Sequence, residues 1–109
     1  MERALERPAP RRLLVGDVDL DPRTRSVKRG GRHVRIGPKE FRLLESLMEQ
    51  PGRVLSRDEL LRAVWGHAAE VELRTVDAHV SRLRRALVRG RESDPIETFR
   101  GVGYSFVER

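Results

Sequence analysis

Hydrophobic residues recur along this chain first in short alternating runs and then at helical spacing, and the switch separates two kinds of element. Val15, Val18 and Leu20 lie around a Gly16-Asp17 break, and Asp21-Pro22 marks a turn. Ser26 to Arg29 and His33 to Ile36 flank Gly30-Gly31, a two-residue hairpin signal. An N-terminal antiparallel sheet is expected from this pattern, with Val34 and Ile36 facing a core. Ahead of it, Met1 to Pro10 is polar and rich in proline, so residues 1–12 read as a linker or as the tail of a preceding domain.

Helical spacing begins at Gly37-Pro38, with proline at the first helical position. Phe41, Leu44, Leu47 and Met48 form the apolar stripe, and Pro51-Gly52 stops the helix. A short strand at Val54-Leu55 leads into Ser56-Arg57-Asp58-Glu59, a capping box in which hydroxyl and carboxylate each satisfy an orphan backbone donor. Leu60, Leu61, Val64 and Trp65 are expected to face inward along this second helix, and Gly66 ends it. The third helix, from about Leu73 to Arg89, places Val76, Val80, Leu83 and Leu87 on one stripe. Arg74, Ala78, Ser81 and Arg85 fall opposite; Thr75, His79 and Arg82 lie along one shoulder and Asp77 and Arg84 along the other. Its N-cap is not evident from the sequence. After a loop from Gly90 to Pro95, Ile96 to Phe99 and Tyr104 to Val107 form a hairpin around Arg100-Gly101-Val102-Gly103.

The order is sheet, three helices, hairpin, which is an α+β winged helix-turn-helix with an N-terminal antiparallel sheet and a C-terminal hairpin wing over residues 13–109. In that geometry the second helix of the pair presents its N-terminal half to a major groove. An arginine-rich face alone is ordinarily a solvated surface. In this context its purpose is different: arginines face out toward phosphates and guanine edges, while the small Ala78 and Ser81 let the helix sit deep.

Charge supports that direction. Lys and Arg total 23 against 17 acidic residues, a net +6, which favours a polyanionic partner. The chain of 109 residues suits one domain with a single modest core. No apolar run approaches a membrane span and no signal-peptide pattern opens the chain. The absence of cysteine removes disulfides and thiolate metal sites and fits the cytoplasm. His33, His67 and His79 are too scattered for a ligand pair, and no nucleophile–base spacing is recognisable, so neither an enzyme, a cofactor nor a metal is expected. Asp17, Asp19 and Asp21 imitate the start of a calcium loop, but Pro22 and Lys28 occupy the positions that need glycine and a bidentate glutamate.

Four motifs then carry a specific resemblance: EF-x-LL from Glu40, SR-x-x-LL-x-x-VWG from Ser56, RTVD-x-H-x-x-x-LR from Arg74, and RG-x-GY from Arg100. In combination, over Leu13 to Val107, the chain resembles the effector domain of OmpR/PhoB-type response regulators. The resemblance implies that the third helix enters the major groove and the wing the adjacent minor groove. Matched position by position, Asp77, Ala78, Arg82 and Arg100 are implied to meet bases, with Arg82 the principal reader and Arg100 in the minor groove. Arg57, Trp65, Arg74, Thr75, His79, Ser81, Arg84, Arg85 and Thr98 are implied at the DNA backbone, although Ser81 stands where near relatives carry arginine. The connector His67, Ala68, Ala69, Glu70 and Val71 occupies the family's polymerase-touching position. Implied partners are duplex DNA with direct repeats, a second copy bound head-to-tail, RNA polymerase through its sigma subunit, and a histidine kinase acting only through a receiver domain outside this chain; no membrane partner is implied.

Residue chemistry agrees with the carry-over, since one arginine fork bonds O6 and N7 of guanine together. The rivals are an RNA-binding basic module, which wants exposed stacking aromatics, a winged helix used for protein contact, and the same domain in a membrane-anchored activator.

Overall fold

A tight glycine turn sets the register of the first sheet. The computed structural model describes residues 11–67 and 70–108, and within them β1 (Leu13–Val15), β2 (Val18–Asp21), β3 (Ser26–Arg29) and β4 (Arg32–Val34) form an antiparallel sheet in sequence order. Gly30 and Gly31 take φ of 55° and 82°, the left-handed conformation a two-residue hairpin requires, and this pairs Arg29 with Arg32. The fourth strand therefore starts one residue earlier than the alternating pattern suggested and stops at Val34. Val34 faces the core as expected, whereas Ile36 lies beyond the strand, half-buried against the core. The expected linker falls mostly on residues 1–10, outside the described residues.

Three helices follow: α1 (Pro38–Met48), α2 (Arg57–Trp65) and α3 (Leu73–Leu87). The stripe on α1 is wider than its sequence pattern, because Leu43 and the acidic Glu40 are buried with Phe41, Leu44, Leu47 and Met48. On α2 the capping box forms: Ser56 Oγ accepts from the Glu59 amide at 3.0 Å, and Glu59 Oε1 accepts from the Ser56 amide at 2.8 Å. Such a cap contributes about 1 kcal/mol. Gly66 ends the helix at φ 94°, where a side chain would be strained. Along α3 the stripe Val76, Val80, Leu83 and Leu87 is fully buried. The unclear N-cap has a physical counterpart, since Glu72 occupies it without a side-chain bond.

The C-terminal hairpin is one strand wider than expected. β6 (Ile96–Phe99) and β7 (Gly103–Phe106) pair antiparallel, and the short β5 (Leu55–Ser56) joins the outer edge of β7. Phe99 pairs with Gly103, so β7 begins one residue before Tyr104. The position of Gly103 is what admits β5 beside β7. A Cβ built on it would lie 1.9 Å from the Leu55 carbonyl oxygen, so only glycine permits the two strands to meet there.

Buried arginine joins the two ends of the domain. Arg29 alternates inward with Val27 and is 4% exposed. Its Nη1 donates to the Leu87 carbonyl at 2.9 Å, and Arg32 Nη2 donates to the same oxygen at 3.1 Å. Two guanidinium groups from the first sheet thus satisfy an orphan carbonyl at the negative end of α3. Asp17 and Glu92 neutralise them.

Candidate nucleic-acid interface

The side of α3 opposite its buried stripe is open: Arg74, Ala78, Ser81, Arg82 and Arg85 are all exposed. Their arrangement follows from the stripe, because four buried residues at helical spacing leave one remaining face for charge. Arg82 is 59% exposed and lies 3.9 Å from the Glu40 carboxylate, a weak contact. Arg74 reaches back to Glu72 at 2.5 Å and remains largely in solvent. At the hairpin end, Arg100, Gly101 and Val102 are exposed, with the turn closed by the Val102 amide donating to the Phe99 carbonyl.

On one shoulder, Arg84 and Asp77 are committed to partners within the protein. Arg84 is only 27% exposed and is braced against the wing strand: Nη2 donates to the Ile96 carbonyl at 2.6 Å and to Thr98 Oγ1 at 2.7 Å, while Nε pairs with Asp94 at 3.0 Å. Asp77 accepts from the Tyr104 hydroxyl at 2.5 Å and pairs with Arg57 Nε at 3.1 Å. Burial, and then the hydrogen bond it donates to the negatively charged Asp77 carboxylate, push the pKa of the Tyr104 hydroxyl up to about 12. Arg57, Asp77 and Tyr104 come from α2, α3 and β7, so this cluster ties the start of α2 and the wing to the reading helix. Thr75 is half-buried and Thr98 exposed.

A second cluster occupies the other shoulder. His79 Nδ1 lies 2.5 Å from Glu40 Oε2, with the side chains 18% and 9% exposed. Trp65 packs edge-on against His79, ring centroids 5.2 Å apart at 62°, and Lys39 Nζ lies 5.7 Å from the Trp65 ring centre. Burial opposes ionisation of Glu40, but the His79 hydrogen bond, its own backbone bond and the charges of His79 and Arg82 outweigh it. The carboxyl is held below its ordinary value.

In the connector, His67 and Glu70 are exposed, whereas Ala68 and Ala69 lie outside the described residues. Val71 differs from its exposed neighbours, being partly buried and packed on the core. Sequence reasoning missed Glu40, Tyr104, Arg29 and Arg32. Two of them left a signal: Glu40 sits four residues before Leu44, on the apolar stripe, and Arg29 occupies an inward strand position.

The aromatics are mostly packed away. Phe41, Tyr104 and Phe106 are buried, Trp65 is half-buried, and Phe99 alone is exposed, at 37%. That leaves no platform on which successive unpaired bases would stack. Among the described residues no helix is long and apolar enough to cross a membrane.

Comparison with known proteins converges on one family. Residues 31–106 match the model described as transcriptional regulatory protein, C terminal. The chain is 57% identical over 93 residues to the phosphate regulon transcriptional regulatory protein PhoB of Rhizobium meliloti (strain 1021), covering 85% of this chain and 41% of that protein. It is 46% identical over 92 residues to PhoB of Escherichia coli (strain K12), covering 84% and 40%. The RstA DNA-binding domain of Klebsiella pneumoniae, solved in complex with the RstA box, superposes with a TM-score of 0.77 at 32% identity, covering 90% of this chain and 98% of that one. The chain spans about two fifths of the length of these curated relatives.

Proposed function

Because the chain belongs to the transcriptional regulatory protein C-terminal family, the DNA-binding effector domains of OmpR/PhoB-type response regulators, we propose that it reads duplex DNA with α3 in the major groove and the hairpin wing in the adjacent minor groove. The observation that carries this geometry is the open basic face of α3, set directly opposite a stripe with no exposure at all. Arg82, 59% exposed on its shoulder, bonds a guanine edge. Ala78 meets base edges beside it, and Asp77 does so with its carboxylate braced by Tyr104 and Arg57. Arg57, Trp65, Arg74, Thr75, His79, Ser81, Arg84, Arg85 and Thr98 fix register along the phosphates without specifying bases.

Arg100 reads shape. A narrow A·T-rich minor groove concentrates negative potential, so one guanidinium at an exposed turn gains more there than at an ordinary phosphate. The groove presents too little donor–acceptor variety to identify single letters. Selection of binding sites from a randomised duplex library, wild type against Arg100→Ala, is the test. The wild type should yield a defined motif with an A·T-enriched flank, and the variant the same motif with a flattened flank. Absence of any motif rejects the reading; a motif without A·T enrichment reduces Arg100 to a charged turn.

We further propose the regulatory setting of the family: two copies head-to-tail on direct repeats, control by a phosphorylated receiver domain in the cytoplasm, and a polymerase contact at the connector. Exposed Glu70, an acid in a basic domain, is its centre, and the half-buried Val71 holds the loop rather than presenting itself. Glu70→Ala should abolish activation in a transcription assay with purified polymerase while leaving DNA affinity intact. Normal activation by this variant refutes the contact.

A further inference from the structure

Arg100 follows a strand that burial does little to hold. β6 is the edge of its sheet, and Glu97, Thr98 and Phe99 on it are exposed. β5 pairs along the far edge of β7 and leaves β6 with one neighbouring strand. Side chains of α3 reach across to the hairpin instead. Thr98 and Tyr104 lie directly opposite each other, one rung before the Phe99–Gly103 pair at the turn. Both are tied to the helix: Arg84 Nη2 donates to Thr98 Oγ1 at 2.7 Å, and the Tyr104 hydroxyl donates to Asp77 Oδ1 at 2.5 Å. Asp77 and Arg84 are two helical turns apart, roughly 10 Å along the axis. The two ends of one rung are therefore gripped from two levels of α3. The Arg84 guanidinium also lies 5.7 Å from the Tyr104 ring centre, which links one tie to the other.

We propose that this doubly held rung makes α3 and the wing one rigid reading unit, and that Tyr104 is the positioning residue that fixes where Arg100 falls relative to Arg82. The proposal rests on α3 in the major groove and Arg100 in the minor groove, and adds to them a fixed distance between the two contacts. Tyr104 is 7% exposed and acts through Asp77, not on DNA. A hydrogen bond to an ionised acceptor is stronger than a neutral one, so the tie is suited to holding an edge hairpin. An arginine on a preorganised hairpin loses little freedom on binding, whereas one on a loose hairpin must first be ordered. B-DNA completes a turn in about 10.5 base pairs, so each base pair rotates the minor groove by roughly 34° about the axis. A rigid unit thus accepts an A·T tract at one distance from the motif read by α3, and a loose one follows the tract.

The test uses duplexes that carry the selected motif with its A·T tract at the selected distance, or moved outward base pair by base pair in a G·C flank. Affinity is measured for the wild type, Tyr104→Phe, Arg100→Ala and the double variant, each checked by thermal melt. For the wild type, moving the tract should cost as much affinity as Arg100→Ala does, because the guanidinium no longer meets it. Tyr104→Phe keeps the ring and loses the hydroxyl, so its affinity should vary less with distance. In that background Arg100→Ala should cost roughly threefold less, within the range found for coupled residues. A purely structural role would lower Tm and leave the distance profile as it is. Thr98→Val removes the tie at the other end of the rung and should flatten the profile too, even if Tyr104→Phe does not fold. Loss of a phosphate contact at Thr98 would lower affinity at every distance alike. Unchanged profiles in these variants overturn the role of the rung, and equal wild-type affinity at every distance overturns the rigid unit. A motif selected with A·T tracts at scattered distances keeps the groove assignments and refutes the fixed distance. Absence of any motif refutes the groove assignments, and the proposal with them.

Discussion

Gly103→Ala is expected to destabilise the domain more than any substitution on its DNA-facing surface. The added methyl would meet the Leu55 carbonyl oxygen at 1.9 Å, its carbon at 2.8 Å and Ser56 Cα at 2.9 Å, all of them backbone atoms. No rotamer change relieves such a contact, so β5 must move away from β7. Ser56 is also the N-cap of α2, and displacing it disturbs the capping box as well. The combined cost is roughly 3 kcal/mol, at the upper end of overpacking effects, and should lower Tm by roughly 10 °C or more. Thermal denaturation measures it. An unchanged Tm would mean that β5 and β7 do not pair at this position.

Arg82→Ala should produce the largest loss of specificity. It is expected to cost about 1–3 kcal/mol on the selected site and little on random duplex, because a base-edge contact is lost and a phosphate contact is not. Arg84→Ala should behave differently in two respects. Binding to both duplexes should weaken alike, with the salt slope reduced by about one unit. Thermal stability should fall too, since the part-buried Ile96 carbonyl loses its Arg84 donor. Competition titrations over a salt series, paired with melts, separate the two arginines. Equal losses on both duplexes for Arg82→Ala would remove it from base reading.

Elements written into local pattern were legible in the sequence: the Gly30-Gly31 hairpin, the capping box, and above all the stripe from Val76 to Leu87. Each depends on residues within a turn or two of one another, where spacing alone determines neighbours. Strand ends slipped by a residue because register is set by the partner strand, as Phe99 opposite Gly103 shows. The open arginines of α3 were also legible, being simply what the stripe leaves over. What periodicity could not show was the use of the shoulders. Asp77, Arg57 and Tyr104 meet from three elements, and Glu40 meets His79 across 39 positions of sequence. A polar residue on an apolar stripe signals that it has a partner but not which one. Arg84 is the clearest case: the same guanidinium suits a phosphate or a wing strand, and only the fold shows that it is already braced against the second.

The grip of Arg29 and Arg32 on the Leu87 carbonyl has a consequence for motion. The hairpin of the first sheet cannot open without stranding that carbonyl and uncovering a buried guanidinium, so fraying there is not a local event. The first sheet and the end of α3 should therefore exchange their amide hydrogens as one cooperative unit, although 55 and 58 residues separate the bonded partners.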